Sequence, residues 1–327
     1  MVGLQRKDMA PMQEIYKGIK GCIVAFIQKY IPVQDGSHQP PLFPPIIGTG
    51  FAIREDGLII TNSHVAKAFN KVFRPPDMPE EEWPVHAMLF KYTPQGMIEI
   101  PLEVLGVLAI SKYEHGKHYY GPKEGPDLAI VHVKAKGLPT VEIDSGTLIE
   151  EGLDVATAGF PMGTDALTAP GYLHQLTPTL QKGIISAVLP FASPTPHAFS
   201  INIMTQGGAS GSPVFDCNTG RVLGVLYAGL NDFAVTIKNK DFYKVPTNIS
   251  YVVPAHYIKF LLKQNNNLSD LKQPPDSMTL DEIIDNATIQ NIFEKGRNWV
   301  IKGIDSEVEA TRIKELSRIE TIENDKK

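Results

Sequence analysis

Cysteine is nearly absent: Cys22 and Cys217 are the only two in 327 residues. That excludes a disulfide-framed scaffold and any paired-cysteine metal motif. With no leader in view, free thiols in a reducing cytoplasm are expected. Long apolar runs are missing too. The longest near the amino end, Cys22-Ile23-Val24-Ala25-Phe26-Ile27, is too short to cross a bilayer, and it lacks the small-residue cleavage site of a secretory leader. A membrane protein is not expected, and the run reads better as a first strand. Charge of one sign is in no excess: the formal net charge is −5 and the pI about 6.0. Neither nucleic acid nor an anionic membrane is therefore expected as the main partner. His-Glu-x-x-His and a glycine-rich loop opening a helix are absent, so no metal and no cofactor are expected.

What the chain has in quantity is turn-forming residues, 27 glycines and 26 prolines beside 43% hydrophobic content. Many short strands joined by turns around a large core, an all-β body, is the expected class. The densest cluster of small residues surrounds one serine, in Gly207-Gly208-Ala209-Ser210-Gly211-Ser212-Pro213-Val214-Phe215. Such a strained turn presents a hydroxyl for attack, and it lets the amides of Gly208 and Ser210 face inward together as an oxyanion hole. A serine hydroxyl is a poor nucleophile at neutral pH without a histidine base and an orienting acid. His64 follows a hairpin expected from Gly48 to Ile60, turning at Glu55-Asp56-Gly57. Asp127 opens another apolar strand, Leu128-Ala129-Ile130-Val131-His132-Val133, where a buried carboxylate can meet an imidazole. His132, inside that strand, is the rival histidine and is expected at the surface or in the core.

The order His64, Asp127, Ser210 and the residues around each resemble the chymotrypsin-like serine proteases, most closely their HtrA/Deg branch. Four separated blocks carry the match: 48–65, 127–133, 159–163 with 183–188, and 208–225. The resemblance implies a double six-stranded antiparallel β-barrel with the triad in the cleft between the barrels. It implies a serine endopeptidase acting on protein or peptide substrates through an acyl-enzyme, with no cofactor. In the family, the residues five to six before the nucleophile and the strand after GxVxGV line the substrate pocket; here these are Met204, Thr205, Leu226, Tyr227 and Ala228. With no acid at Met204, a small or medium apolar side chain is the expected preference.

Departures from the trypsin pattern bear on regulation. Ala209 stands where trypsin-like zymogens carry the aspartate that receives a new N-terminus, and no Ile-Val-Gly-Gly site is present, so that activation route is not expected. Neighbouring loops must hold the oxyanion turn, which leaves room for a protein activator. Ser212 replaces a glycine, as in glutamyl endopeptidases.

The expected organisation is an N-terminal segment (1–18), a protease domain (19–262, barrel one about 19–137 and barrel two about 138–262) and a helical tail (263–327). The Pro-rich stretch 31–45 is expected as a loop, as are 74–84, 111–124, 164–180 and 230–248, the last two beside the pocket. Leu280, Ile283, Ile284 and Ala287 are spaced for one helix face, as are Ile313, Leu316, Ile319 and Ile322, and the tail is too short for a PDZ domain. HtrA relatives often trimerise through N-terminal segments, but residues 1–18 show no aromatic cluster to support it. Two alternatives stay open: a silent or gated module of the same fold that holds extended peptide or a partner protein, and a scaffold whose work is done by the tail.

Overall fold

The computed structural model describes residues 11–32, 38–39, 45–93, 96–111, 125–144, 146–161, 177–235, 242–265, 268 and 270–288. In chain order, helix α1 (Met12–Lys20) and strand β1 (Ile23–Gln28) precede a small ribbon, β2 (Ile31–Pro32) with β3 (His38–Gln39). Then come β4 (Ile46–Arg54), β5 (Leu58–Thr61), α2 (Ser63–Ala68), β6 (Val85–Thr93), β7 (Gly96–Ile110) and β8 (Ala129–Val133). The second half holds β9 (Asp154–Gly159), β10 (Thr179–Leu189), β11 (Ala198–Ile201), β12 (Pro213–Asp216), β13 (Val222–Val235) and β14 (Phe242–Pro254). Helices α3 (His256–Gln264) and α4 (Leu280–Thr288) follow.

The strands close into two six-stranded antiparallel barrels, ordered β1-β4-β5-β8-β7-β6 and β10-β11-β14-β13-β12-β9. The fold is the all-β chymotrypsin-like one that the four blocks imply. Strand alternation builds three apolar layers. Along β1, Val24 and Phe26 fill barrel one, whereas Ile23, Ala25 and Ile27 face the seam between the barrels. Along β12, Val214 fills barrel two and Phe215 the seam. Phe90 and Phe160 meet there with ring centroids 5.4 Å apart, one from each half of the chain. Each fully buried phenylalanine contributes about 1.5–3 kcal/mol. The seam therefore fixes how the halves dock.

Three expectations change. The stretch 31–45 is not wholly loop, since Ile31 pairs with Gln39 and Pro32 with His38. The stretch 230–248 is largely a ribbon extending β13 and β14, with Asn231 opposite Pro246 and Val235 opposite Phe242. Helix α1 falls mostly in the N-terminal segment 1–18, to which no element was assigned; Met12, Ile15, Tyr16 and Ile19 turn one face onto the seam, and Tyr16 Oη–H donates to the Pro178 carbonyl at 2.6 Å. Most of 111–124 and 164–180, and the periodic stretch near Ile313, lie outside the described residues.

Candidate active site

Register brings His64 and Asp127 together. β5 pairs with β8 so that Thr61 lies opposite Ala129; His64 is then one turn beyond the end of one strand, and Asp127 just before the start of the other. The His64 Nδ1 to Asp127 Oδ2 distance is 2.5 Å. A carboxylate oxygen only accepts, so Nδ1 is the donor of this bond, and in the neutral ring that tautomer places the lone pair on Nε2. Asp127 is 1% exposed at its side chain, against 28% for His64. Its other oxygen accepts from Ser63 Oγ at 2.7 Å and from the His64 amide at 3.1 Å. Asn62 Nδ2 binds the Asp127 carbonyl at 2.8 Å. These donors offset the cost of burying a carboxylate and fix its plane toward the ring.

Ser210 approaches from the other barrel. A Cβ placed on Gly48 would meet the Val65 methyls at 2.7 and 2.8 Å and the Ser210 carbonyl at 3.3 Å, so the residue after His64 and the serine backbone flank one glycine. Residues 206–209 form a turn closed by the Ala209 amide on the Gln206 carbonyl (3.2 Å), with φ of +89° at Gly208. That is the type II pattern, which needs a glycine at its third position. Among the described residues neither the Gly208 nor the Ser210 N–H donates a hydrogen bond. Gly211 has φ of +90°, and a Cβ there would lie 1.9 Å from the Thr49 carbonyl oxygen. No other residue fits that position.

Beside Ser210 opens a pocket of about 250 Å³. Of the residues expected to line it, Thr205, Leu226 and Ala228 do so, joined by Gln206, Gly207, Gly229 and Asn231. Met204 and Tyr227 do not. Met204 is 40% exposed and contributes its carbonyl to Gln181 Nε2 at 3.1 Å. Tyr227 turns into the seam, 6.4 Å from the Tyr251 ring, on the face of β13 opposite Leu226 and Ala228. Beneath the lining, Thr205 Oγ1 and Ser250 Oγ are 2.7 Å apart and Ser250 Oγ–H donates to the Ile203 carbonyl. Among the described residues the pocket wall thus holds no charged side chain. His132 is buried, its Nε2 at 3.2 Å from the Asp56 carbonyl oxygen and 2.8 Å from Gln273 Nε2, remote in sequence from the serine turn.

The family profile of the trypsin-like peptidase domain matches residues 48–225, a stretch with strands of both barrels that includes His64, Asp127 and Ser210 and ends just before the pocket residues Leu226 to Asn231. The chain belongs to the trypsin-like peptidases. This peptidase is 25% identical over 179 residues to a probable periplasmic DegP-like serine endoprotease of Halomonas elongata, covering 55% of this chain and 28% of that one. A protein of the same description from Pseudomonas putida is 28% identical over 182 residues, with the same coverage. The chain therefore matches less than a third of the length of these relatives. Among solved structures, an HtrA-type protease, AlgW, with a tripeptide aligns over 78% of this chain and 63% of that one, at 15% identity and a TM-score of 0.46. The serine endoprotease of Yersinia pestis aligns over 79% and 68%, at 15% and 0.44. The resemblance to the HtrA/Deg branch of serine proteases stands.

One expectation for this trypsin-like peptidase does not. The curated relatives are periplasmic, which overturns the cytoplasmic setting inferred from the cysteines. Their burial explains the error. It pushes the Cys22 thiol up to about 12 and the Cys217 thiol to about 11, so neither supplies a thiolate at neutral pH. Such thiols stay reduced in an oxidising compartment and carry no information about it. Among the described residues no helix is long and apolar enough to cross a membrane, and no group of three His, Cys, Asp or Glu side chains could hold a metal.

Sequence reasoning passed over Thr49, Ser63 and Ser250, and noted Ser212 only as a replaced glycine. Thr49 had a visible signal, a side chain flanked by Gly48 and Gly50, where close approach is the rule.

Proposed function

We propose that this chain is a serine endopeptidase that works through an acyl-enzyme, in the periplasm as its relatives do. Ser210 attacks the scissile carbonyl, His64 Nε2 takes its proton and returns it to the leaving amine, and Asp127 holds the ring tautomer and stabilises the imidazolium. The Gly208 and Ser210 amides receive the oxyanion. The observation that carries this reading is the 2.5 Å bond from His64 Nδ1 to a buried Asp127, with the Ser210 backbone and Val65, the residue after His64, both close to Gly48.

The pocket suits a small or medium uncharged side chain before the cut bond. Ala228 and Gly229 leave space, and a charged group entering beside Thr205 and Ser250 would lose hydration with no ion among the described lining residues to meet it. Intact-mass analysis after a fluorophosphonate probe, with Ser210→Ala and His64→Ala beside the native chain, tests the site. A single adduct on the native chain, absent from both variants, is expected. Absence of an adduct on the native chain would refute the reading and leave a peptide-holding module. A peptide series varied at the residue before the cut should then show alanine, valine or leucine favoured over lysine and glutamate by at least about tenfold in kcat/KM.

A further inference from the structure

The turn that carries Ser210 has every carbonyl on its inner side tied down, and two residues with no assigned role do the tying. Gly208 C=O accepts from Thr49 Oγ1 at 2.7 Å. Ala209 C=O accepts from the Ser212 amide at 3.0 Å and from Ser212 Oγ at 2.6 Å. Ser210 C=O accepts from the Thr49 amide at 2.8 Å. On the donor side, the Ala209 amide goes to Gln206 and the Gly211 amide to Leu226 at 2.9 Å. Three consecutive peptide planes, from Gly208–Ala209 to Ser210–Gly211, are fixed in this way, and the N–H they leave over is that of Ser210; the Gly208 N–H lies in the plane just before them, inside the turn that the Ala209 amide closes on Gln206. Reversing any one plane would break buried hydrogen bonds and strand a carbonyl away from water.

Thr49 is suited to this task by its own surroundings. It is fully buried, its Oγ1 accepts from the Phe160 amide at 3.1 Å, and its carbonyl accepts from Thr61 Oγ1 at 2.7 Å. With the Phe160 amide on one lone pair, the hydroxyl proton is directed to Gly208. One residue thus joins β4, the end of β5 near His64, the end of β9 and the serine turn, the link to β5 through its carbonyl and the other two through its hydroxyl. Ser212 is 1% exposed, and its hydroxyl occupies the space a Cβ on Gly159 would need, 1.9 Å away.

We propose that Thr49 and Ser212 are positioning residues that hold the oxyanion turn in its open form, an uncharged lock taking the place of a buried ion pair at Ala209. The inference rests on Ser210 being the nucleophile. Because the lock contains no ionisable group, it needs no newly released amino terminus and should not loosen as pH rises through the α-amino range, about 7.7–8.0.

The test compares the full native chain with Thr49→Val, Thr49→Ser and Ser212→Ala, measuring kcat and KM on a cleaved peptide, fluorophosphonate labelling rate and melting temperature. Thr49→Val and Ser212→Ala should each lower kcat by about 10- to 100-fold with KM little changed, below the loss typical of a deleted donor. Thr49→Ser, which keeps the hydroxyl, should recover most of it, and native kcat/KM should stay level from about pH 8 to 9.5. Variants within twofold of native kcat, or a loss that Thr49→Ser does not recover, would overturn the lock while leaving the nucleophile in place. A native chain that neither cleaves nor labels would overturn both.

Discussion

At the scale of single residues, the site depends on positions where no substitute fits. Gly211 combines a φ of +90° with a backbone oxygen 1.9 Å from any Cβ. Gly211→Ala should therefore cost more than about 2 kcal/mol and abolish labelling of Ser210, as read by a urea melt and the probe together. A melt within about 0.5 kcal/mol of native would contradict this. Legibility follows the same logic. Ser210, His64 and Asp127 could be read because each is announced by its immediate neighbours. Thr49 was marked only by its flanking glycines, and its task could not be read, since its partner Gly208 lies 159 positions away. Tyr227 alternates with Leu226 and Ala228 along β13, and which face of that strand meets the pocket is set by pairing partners remote in sequence.

At the scale of elements, the segment after α3 straps barrel one. Leu268 C=O accepts from Arg54 Nη1 at 2.6 Å, and Gln273 Nε2 donates to the carbonyls of Asp56 and Val133 at 2.8 and 2.7 Å. Helix α4 opens with a capping box, the Thr279 amide on Glu282 Oε2 at 2.7 Å and the Glu282 amide on Thr279 Oγ1 at 3.3 Å. Leu280 then enters the core of barrel one, with Ile283 and Ile284 against it. Leu280→Ala should destabilise by about 2–4 kcal/mol, seen as a lower urea midpoint with kcat unchanged under native conditions; an unchanged midpoint would mean that the helix is ornamental. The apolar spacing made α4 legible. The same spacing existed in α1, a helix of equal length, but its partners, on the seam, come from both barrels. The β13–β14 ribbon was hidden because Gly, Asn, Asp and Lys, the ordinary marks of a loop, occupy paired positions.

At the scale of the molecule, four histidines are held below their ordinary value. Burial, with Lys29 nearby, pushes the His86 imidazole down to about 4. His132, His197 and His256 are lowered too, each mainly by burial, with the His197 charge adding to the effect on His256. The unfolded chain takes up these protons first, near pH 6.5, so stability is full above that pH and falls as pH drops toward about 4. Melting temperature should be lower at about pH 4.5 than at pH 7.5; equal values would show that the histidines open to water.

The seam and the Thr49 contacts also set a timetable for synthesis. An emerging chain exposes His64 and Asp127 long before Ser210, and the turn cannot be tied until the second half has been made and has docked on β4. Hydrolysis therefore arrives last, as a property of the finished pair. A nascent chain built this way is safe from itself and from its neighbours on the same messenger.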